Sequence, residues 1–64
     1  MKHENYLNLT RLMNSGEVAA ILNISPMYVF FLVENKEITS VRIGDSIRIR
    51  TEDLQKYIQR VQTI

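Results

Sequence analysis

Residues 14–34, NSGEVAAILNISPMYVFFLVE, decide the fold, because they hold two helix starts with too little chain between them for a free loop. Asn14 can cap a helix with its side-chain oxygen, and Glu17, three residues on, can reach back to the Asn14 amide, so a helix begins here. Val18, Ile21 and Leu22 follow on one stripe, and Ala19 and Ala20 are small enough to let a neighbour approach closely. Ser25 is a second cap, and Pro26 stands at the first helical position, where its missing amide hydrogen costs nothing. Asn23 and Ile24 alone separate the first helix from that cap, and so short a connection makes consecutive helices cross steeply. The stretch predicts a helix-turn-helix.

The second helix, Pro26 to about Glu34, places Val29, Leu32 and Val33 on one face, expected to pack against Val18, Ile21 and Leu22. Its opposite face carries Met27, Tyr28 and Phe31, while Phe30 lies between the two faces and can pack under a neighbouring element. Where a helix-turn-helix binds DNA, the first residues of the second helix touch base edges in the major groove. Ser25, Met27, Tyr28 and Phe31 are therefore the recognition candidates, with Met27 or Phe31 placed to touch thymine methyls.

Past the helices, Asn35 suits a left-handed cap and Lys36 follows it. The period then changes to that of strands. Ile38, Val41 and Ile43 precede Gly44-Asp45-Ser46, and Ile47 and Ile49 follow, which predicts a β-hairpin. A two-residue loop at Gly44-Asp45 pairs Ile43 with Ser46 and Val41 with Arg48, mixing apolar and charged side chains on one face. A three-residue loop pairs Ile43 with Ile47, Arg42 with Arg48 and Val41 with Ile49, which separates the faces and is the register expected. It puts Val41, Ile43, Ile47 and Ile49 on the helices and Arg42, Arg48 and Arg50 together on the outside, as a wing. The mild repulsion between facing arginines is offset if an anion lies across them. Lys36, Arg42, Ser46, Arg48 and Arg50 thus join the candidate DNA contacts. Thr51 is expected to cap a last helix, with Glu52 and Asp53 in its first turn and Leu54, Tyr57, Ile58 and Val61 as its apolar stripe.

At 64 residues the chain suffices for one small domain, expected over residues 12–62, behind an arm or short helix over residues 1–11 whose Tyr6 and Leu9 continue to Leu12 at every third position. A net charge of +1 does not by itself imply nucleic acid, but its distribution is uneven. No Lys or Arg occurs between Arg11 and Lys36, so the helix pair is without cations and the basic residues gather after it. The chain has no Cys for a disulfide or a thiolate metal site. It has no apolar run of membrane-spanning length and no apolar signal segment, so a cytoplasmic protein is expected. His3, the single histidine, reads as a solvated terminal residue, and the sequons at Asn8 and Asn23 read as chance. With no Cys, no Gly-rich phosphate loop and no metal-ligand cluster, neither catalysis, a cofactor nor a metal is expected. The adjacent Glu52 and Asp53 read as a charged helix start.

The order of a capped helix pair, then IGDSIRIR, then TEDLQKYI resembles the single-domain excisionase-type proteins, relatives of the DNA-binding head of MerR-type regulators. The likeness covers about Leu12 to Ile58. It is carried by Glu17-Val18-Ala19, Leu22, Ile24-Ser25, Val29 and Leu32, by Val41-Arg42-Ile43-Gly44 and Arg48-Ile49, and by Glu52-Asp53-Leu54 with Tyr57. The resemblance implies a mainly α, α+β fold, a winged helix-turn-helix with its second helix in a major groove and its hairpin on the neighbouring backbone. It implies a recombination directionality factor or a transcription regulator of a mobile element, with double-stranded DNA, a recombinase or further copies of itself as partners. Around Pro26, Met27 and Phe31 such proteins carry Arg, Lys or Thr, whereas these positions here are apolar. The same residues support a second reading, a protein-interaction module whose anchor is Met27, Phe30 and Phe31.

Overall fold

The computed structural model describes residues 11–62; His3, Tyr6, Leu9 and the Asn8 sequon lie outside the described residues. In chain order the elements are β1 (Leu12–Met13), α1 (Ser15–Leu22), α2 (Pro26–Glu34), β2 (Val41–Ile43), β3 (Ser46–Arg50) and α3 (Thr51–Val61). The strands form one antiparallel sheet in the order β1-β3-β2, so the fold is a helix-turn-helix with a hairpin wing and a closing helix. Leu12 belongs to this sheet and not to a helical turn, because its partner Arg50 lies across β3, far away in sequence. Among the described residues no single helix is long and apolar enough to cross a membrane.

Local chemistry starts both central helices as expected. The Asn14 side-chain oxygen accepts from the Glu17 amide at 2.8 Å, and the Glu17 carboxylate accepts from the Asn14 amide at 3.0 Å. The Ser25 hydroxyl oxygen accepts from the Tyr28 amide at 3.1 Å, with Pro26 opening α2. Between the helices the chain axis turns by 103°. Asn23 makes that turn in the left-handed region, φ 60°, which Asn tolerates better than most residues, and the Ile24 amide donates back to the Ala19 carbonyl at 3.0 Å.

α2 ends in the same way one residue later than expected. Lys36, at φ 61°, holds the left-handed position, while Asn35, at φ −87°, donates through its side chain to the Phe31 carbonyl at 2.8 Å. The Lys36 amide bonds to the Val33 carbonyl and the Glu37 amide to the Leu32 carbonyl, the paired closure that a left-handed residue permits.

Val18, Ala19, Val29 and Leu32 meet Met13, Ile38, Ile49 and Leu54 in one core, with Leu22, Ile24, Val33, Tyr57 and Ile58 packed around it. The α1 stripe is rotated from the expected one. Ala19 is buried and Ile21 is 57% exposed, because positions 18, 19 and 22 satisfy helical spacing equally well and the small residue lets the crossing helix come close. Val61 is also exposed, at the far end of α3.

The hairpin has the two-residue loop. Ile43 faces Ser46, Arg42 faces Ile47 and Val41 faces Arg48, so the three-residue register is overturned. Gly44, at φ 62°, is the one left-handed residue of the loop, and glycine first in a two-residue loop is the arrangement whose twist matches that of the strands. Turn geometry has outweighed the separation of faces. Arg42 therefore shares a face with Ile47 and Ile49, while Val41, Ile43, Arg48 and Arg50 share the other. Of the expected apolar four only Ile49 is fully buried, and Ile43 is 51% exposed. β1 fixes which way β3 faces, since Met13 pairs with Ile49 and both are buried.

Thr51 does not cap α3; it is the first residue of that helix, and its amide and hydroxyl both donate to the Arg11 carbonyl, at 3.0 and 3.2 Å. Arg50 occupies the cap position and makes no side-chain bond to the helix backbone. A strand that runs straight into a helix leaves Thr51 free to tie the incoming chain to the sheet.

Candidate nucleic-acid interface

α2 presents its first turns to solvent because Val29 and Leu32 alone commit it to the core as fully buried residues. On the open side Met27 is 75% exposed, Phe31 53% and Tyr28 47%. The Tyr28 and Phe31 rings stack with centroids 5.4 Å apart and planes inclined by 16°, so the aromatic part of this face is held in one arrangement. No charged residue occurs from position 18 to position 33. Ser25 sits at the base of the face with its oxygen engaged by the Tyr28 amide, leaving its O–H to donate.

Phe30, beside this face, is 42% exposed. It turns toward the hairpin and, with Val33, Lys36, Ile38, Arg42 and Ile47, lines a groove of about 460 Å³ between α2 and the wing. Met27, Phe30 and Phe31 are all exposed and stand three and four residues apart on the helix, with Phe30 at the side nearer the groove.

The register decides where the wing's cations lie. Arg42 is on the inner face and lines the groove, whereas Arg48 is on the outer face, half-buried, its guanidinium donating to the Ile47 carbonyl at 3.1 Å. The expected facing pair of arginines does not form; the two straddle the hairpin. Lys36, Arg42 and Arg48 enter no ion pair among the described residues. Ser46 is half-buried opposite Ile43 at the end of the loop.

Arg50 differs from the other wing cations. Its Nε donates to the buried Asp53 carboxylate at 2.8 Å, and Glu52 lies 3.8 Å from its Nη1. The hydrogen bond to Asp53, then that carboxylate's charge, raise the guanidinium pKa above the ordinary arginine value. Arg50 thus joins the wing to α3. Asp53 as its anchor escapes a reading that treats Glu52 and Asp53 alike, although an Arg three residues before an Asp across a helix start is a visible cue. Arg60 reaches from α3 to the Glu37 carbonyl at 2.7 Å and its carboxylate at 3.2 Å, fixing the segment after α2.

Comparison with known proteins matches residues 12–62 to a family described as a helix-turn-helix domain. Two curated proteins of Mycobacterium tuberculosis, "Putative DNA-binding protein MT0521" of strain CDC 1551 / Oshkosh and "Putative DNA-binding protein Rv0500A" of strain ATCC 25618 / H37Rv, are each 36% identical to the chain over 50 residues. The match covers 78% of this chain but 64% of each relative, so the chain spans less than two thirds of their length. No solved structure matches it.

Proposed function

The chain belongs to the helix-turn-helix domain family, and we propose that it binds double-stranded DNA, with α2 in the major groove and the β2–β3 hairpin along the neighbouring backbone. The observation that carries this is the open face of α2, set at 103° to α1, in a chain whose Lys36, Arg42 and Arg48 enter no ion pair among the described residues. Those three cations act on phosphates, and Tyr28 and Ser25 supply hydroxyl donors nearer the bases. The names of the two mycobacterial relatives point the same way.

So few cations give weak binding by a single copy. Neutralising about three phosphates makes affinity fall by one to two decades over a fourfold rise in salt. Function then depends on neighbours, either further copies on adjacent sites or a recombinase. This fits the part of a recombination directionality factor or a transcription regulator of a mobile element, the roles of the excisionase-type proteins that the sequence resembles. The test is an amide-resonance titration with a mixed-sequence duplex at low and then at higher salt. Salt-sensitive shifts over residues 25–31 and 44–50 are expected; a spectrum that does not move removes the proposal.

A second reading is favoured by the exposure of Met27 and the stacked Tyr28–Phe31 pair, an apolar patch suited to a protein partner or a second copy. It predicts that Phe31→Ala abolishes self-association or partner capture while DNA affinity stays unchanged.

A further inference from the structure

We propose that α2 recognises methyl groups in the major groove, so that the protein prefers thymine-rich duplexes and binds cytosine-containing DNA more tightly once it carries 5-methylcytosine. This rests on the DNA-binding reading above and names the feature of the duplex that α2 selects.

The major groove offers hydrogen-bond donors and acceptors on every base pair and one apolar group, the thymine methyl. Guanine is read by Arg or Lys and adenine by Asn or Gln. The open face of α2 has none of these. It holds Met27, Tyr28 and Phe31; at the ends of the helix the Ser25 oxygen is engaged by the Tyr28 amide, which leaves only its O–H, the Asn35 side chain is engaged by the Phe31 carbonyl, and Glu34 carries an acceptor but no donor. Laid on unmodified G·C pairs, this face would cover polar base edges and offer only hydroxyls in return, a penalty for each group left unpaired. Where the pairs carry methyl groups it also gains apolar burial, which offsets part of that penalty. The Tyr28 and Phe31 rings already stack on each other and present a broad apolar surface, and the flexible Met27 thioether can follow the methyl positions.

Charge favours a duplex over a second copy as the occupant. Residues 18–33 carry no carboxylate to repel phosphates, and in the groove Lys36 and Arg42 outnumber Glu34, the last residue of α2, which leaves a net positive charge there.

The experiment uses the full chain and four alternating duplexes in two pairs: A·T and its A·U counterpart, and G·C and its 5-methylcytosine counterpart. Each pair differs only in one methyl per modified base, with the hydrogen-bonding edges unchanged. Fluorescence anisotropy at low salt is expected to show tighter binding to the methylated member of both pairs, by roughly fourfold for each methyl contacted. Met27→Ala and Phe31→Ala, at exposed positions that the fold does not need, are expected to bring both ratios toward one. Equal affinity within each pair overturns the inference and leaves DNA binding standing. Absence of salt-sensitive binding to all four duplexes removes the DNA-binding reading itself, and with it the inference; concentration-dependent sedimentation would then assign the face to a second copy.

Discussion

Across one groove, α2 and the hairpin show opposite surface chemistry. α2 turns Met27, Tyr28 and Phe31 outward and carries no charge before Glu34 at its end, whereas the hairpin carries Arg42 and Arg48 on a frame anchored by the fully buried Ile49. On a duplex these surfaces meet different things. Cations on the wing act on phosphates, which every sequence shares, while an apolar helix face gains only where the groove offers apolar groups. Affinity and selectivity then reside on separate elements and can be altered separately. In a helix that carries Arg or Lys on its reading face the two are mixed.

The most severe way to break this contrast is to remove the residue on which both surfaces rest. Ile49→Ala is expected to cost about 3 kcal/mol, because it leaves a cavity beside Met13 in the core shared by the helices and the sheet. Denaturant unfolding measures it, and a loss under about 1 kcal/mol would mean that Ile49 is not packed as described. Gly44→Ala is next, at about 1–2 kcal/mol, because the added methyl meets nothing within 4 Å but φ 62° disfavours any side chain. Amide shifts should stay near the hairpin; spread into α2 would show that the wing is not independent of the helix.

Arg42→Gln and Arg48→Gln sharpen the contrast on the DNA side. Each is expected to reduce the slope of log affinity against log salt by about 0.9, while Phe31→Ala leaves the slope as it was. An unchanged slope in both arginine variants places the phosphate contacts elsewhere. The smallest effect is the most diagnostic of Lys36. Lys36→Gly relieves a left-handed backbone and should raise stability by about 0.5 kcal/mol, yet it removes a cation and should weaken DNA binding. A variant that is more stable and binds DNA equally well takes Lys36 out of the proposed contacts.

What could be read from the sequence was whatever local chemistry decides. Asn14 with Glu17, and Ser25 with Pro26, start their helices by contacts within three residues, and the same local signals set the steep turn between them. What escaped was decided at a distance or by competition. β1 exists only because Leu12 and Met13 find Arg50 and Ile49 across the fold, and Thr51 was diverted from capping by the carbonyl of Arg11. The hairpin register was a contest between tidy faces and a glycine-first turn, and the turn prevailed. For the candidate site, the apolar face of α2 was legible from spacing alone. The position of Arg42 in the groove followed from strand pairing across the fold, whereas the commitment of Arg50 to Asp53 is a contact within three residues that the sequence already carried.

Among the described residues, the strand order β1-β3-β2 leaves β2 at the rim of the sheet, with unpaired backbone along its outer side. An open rim of this kind invites strands from other chains to add to it and grow into aggregates. Here the rim is Val41–Ile43, a strand of three residues, too short to template much, and its middle residue is Arg42. A charge at the centre of so brief a segment makes stacking of identical copies unfavourable. Arg42 thus also guards the solubility of a chain whose neighbouring helix already exposes much apolar surface.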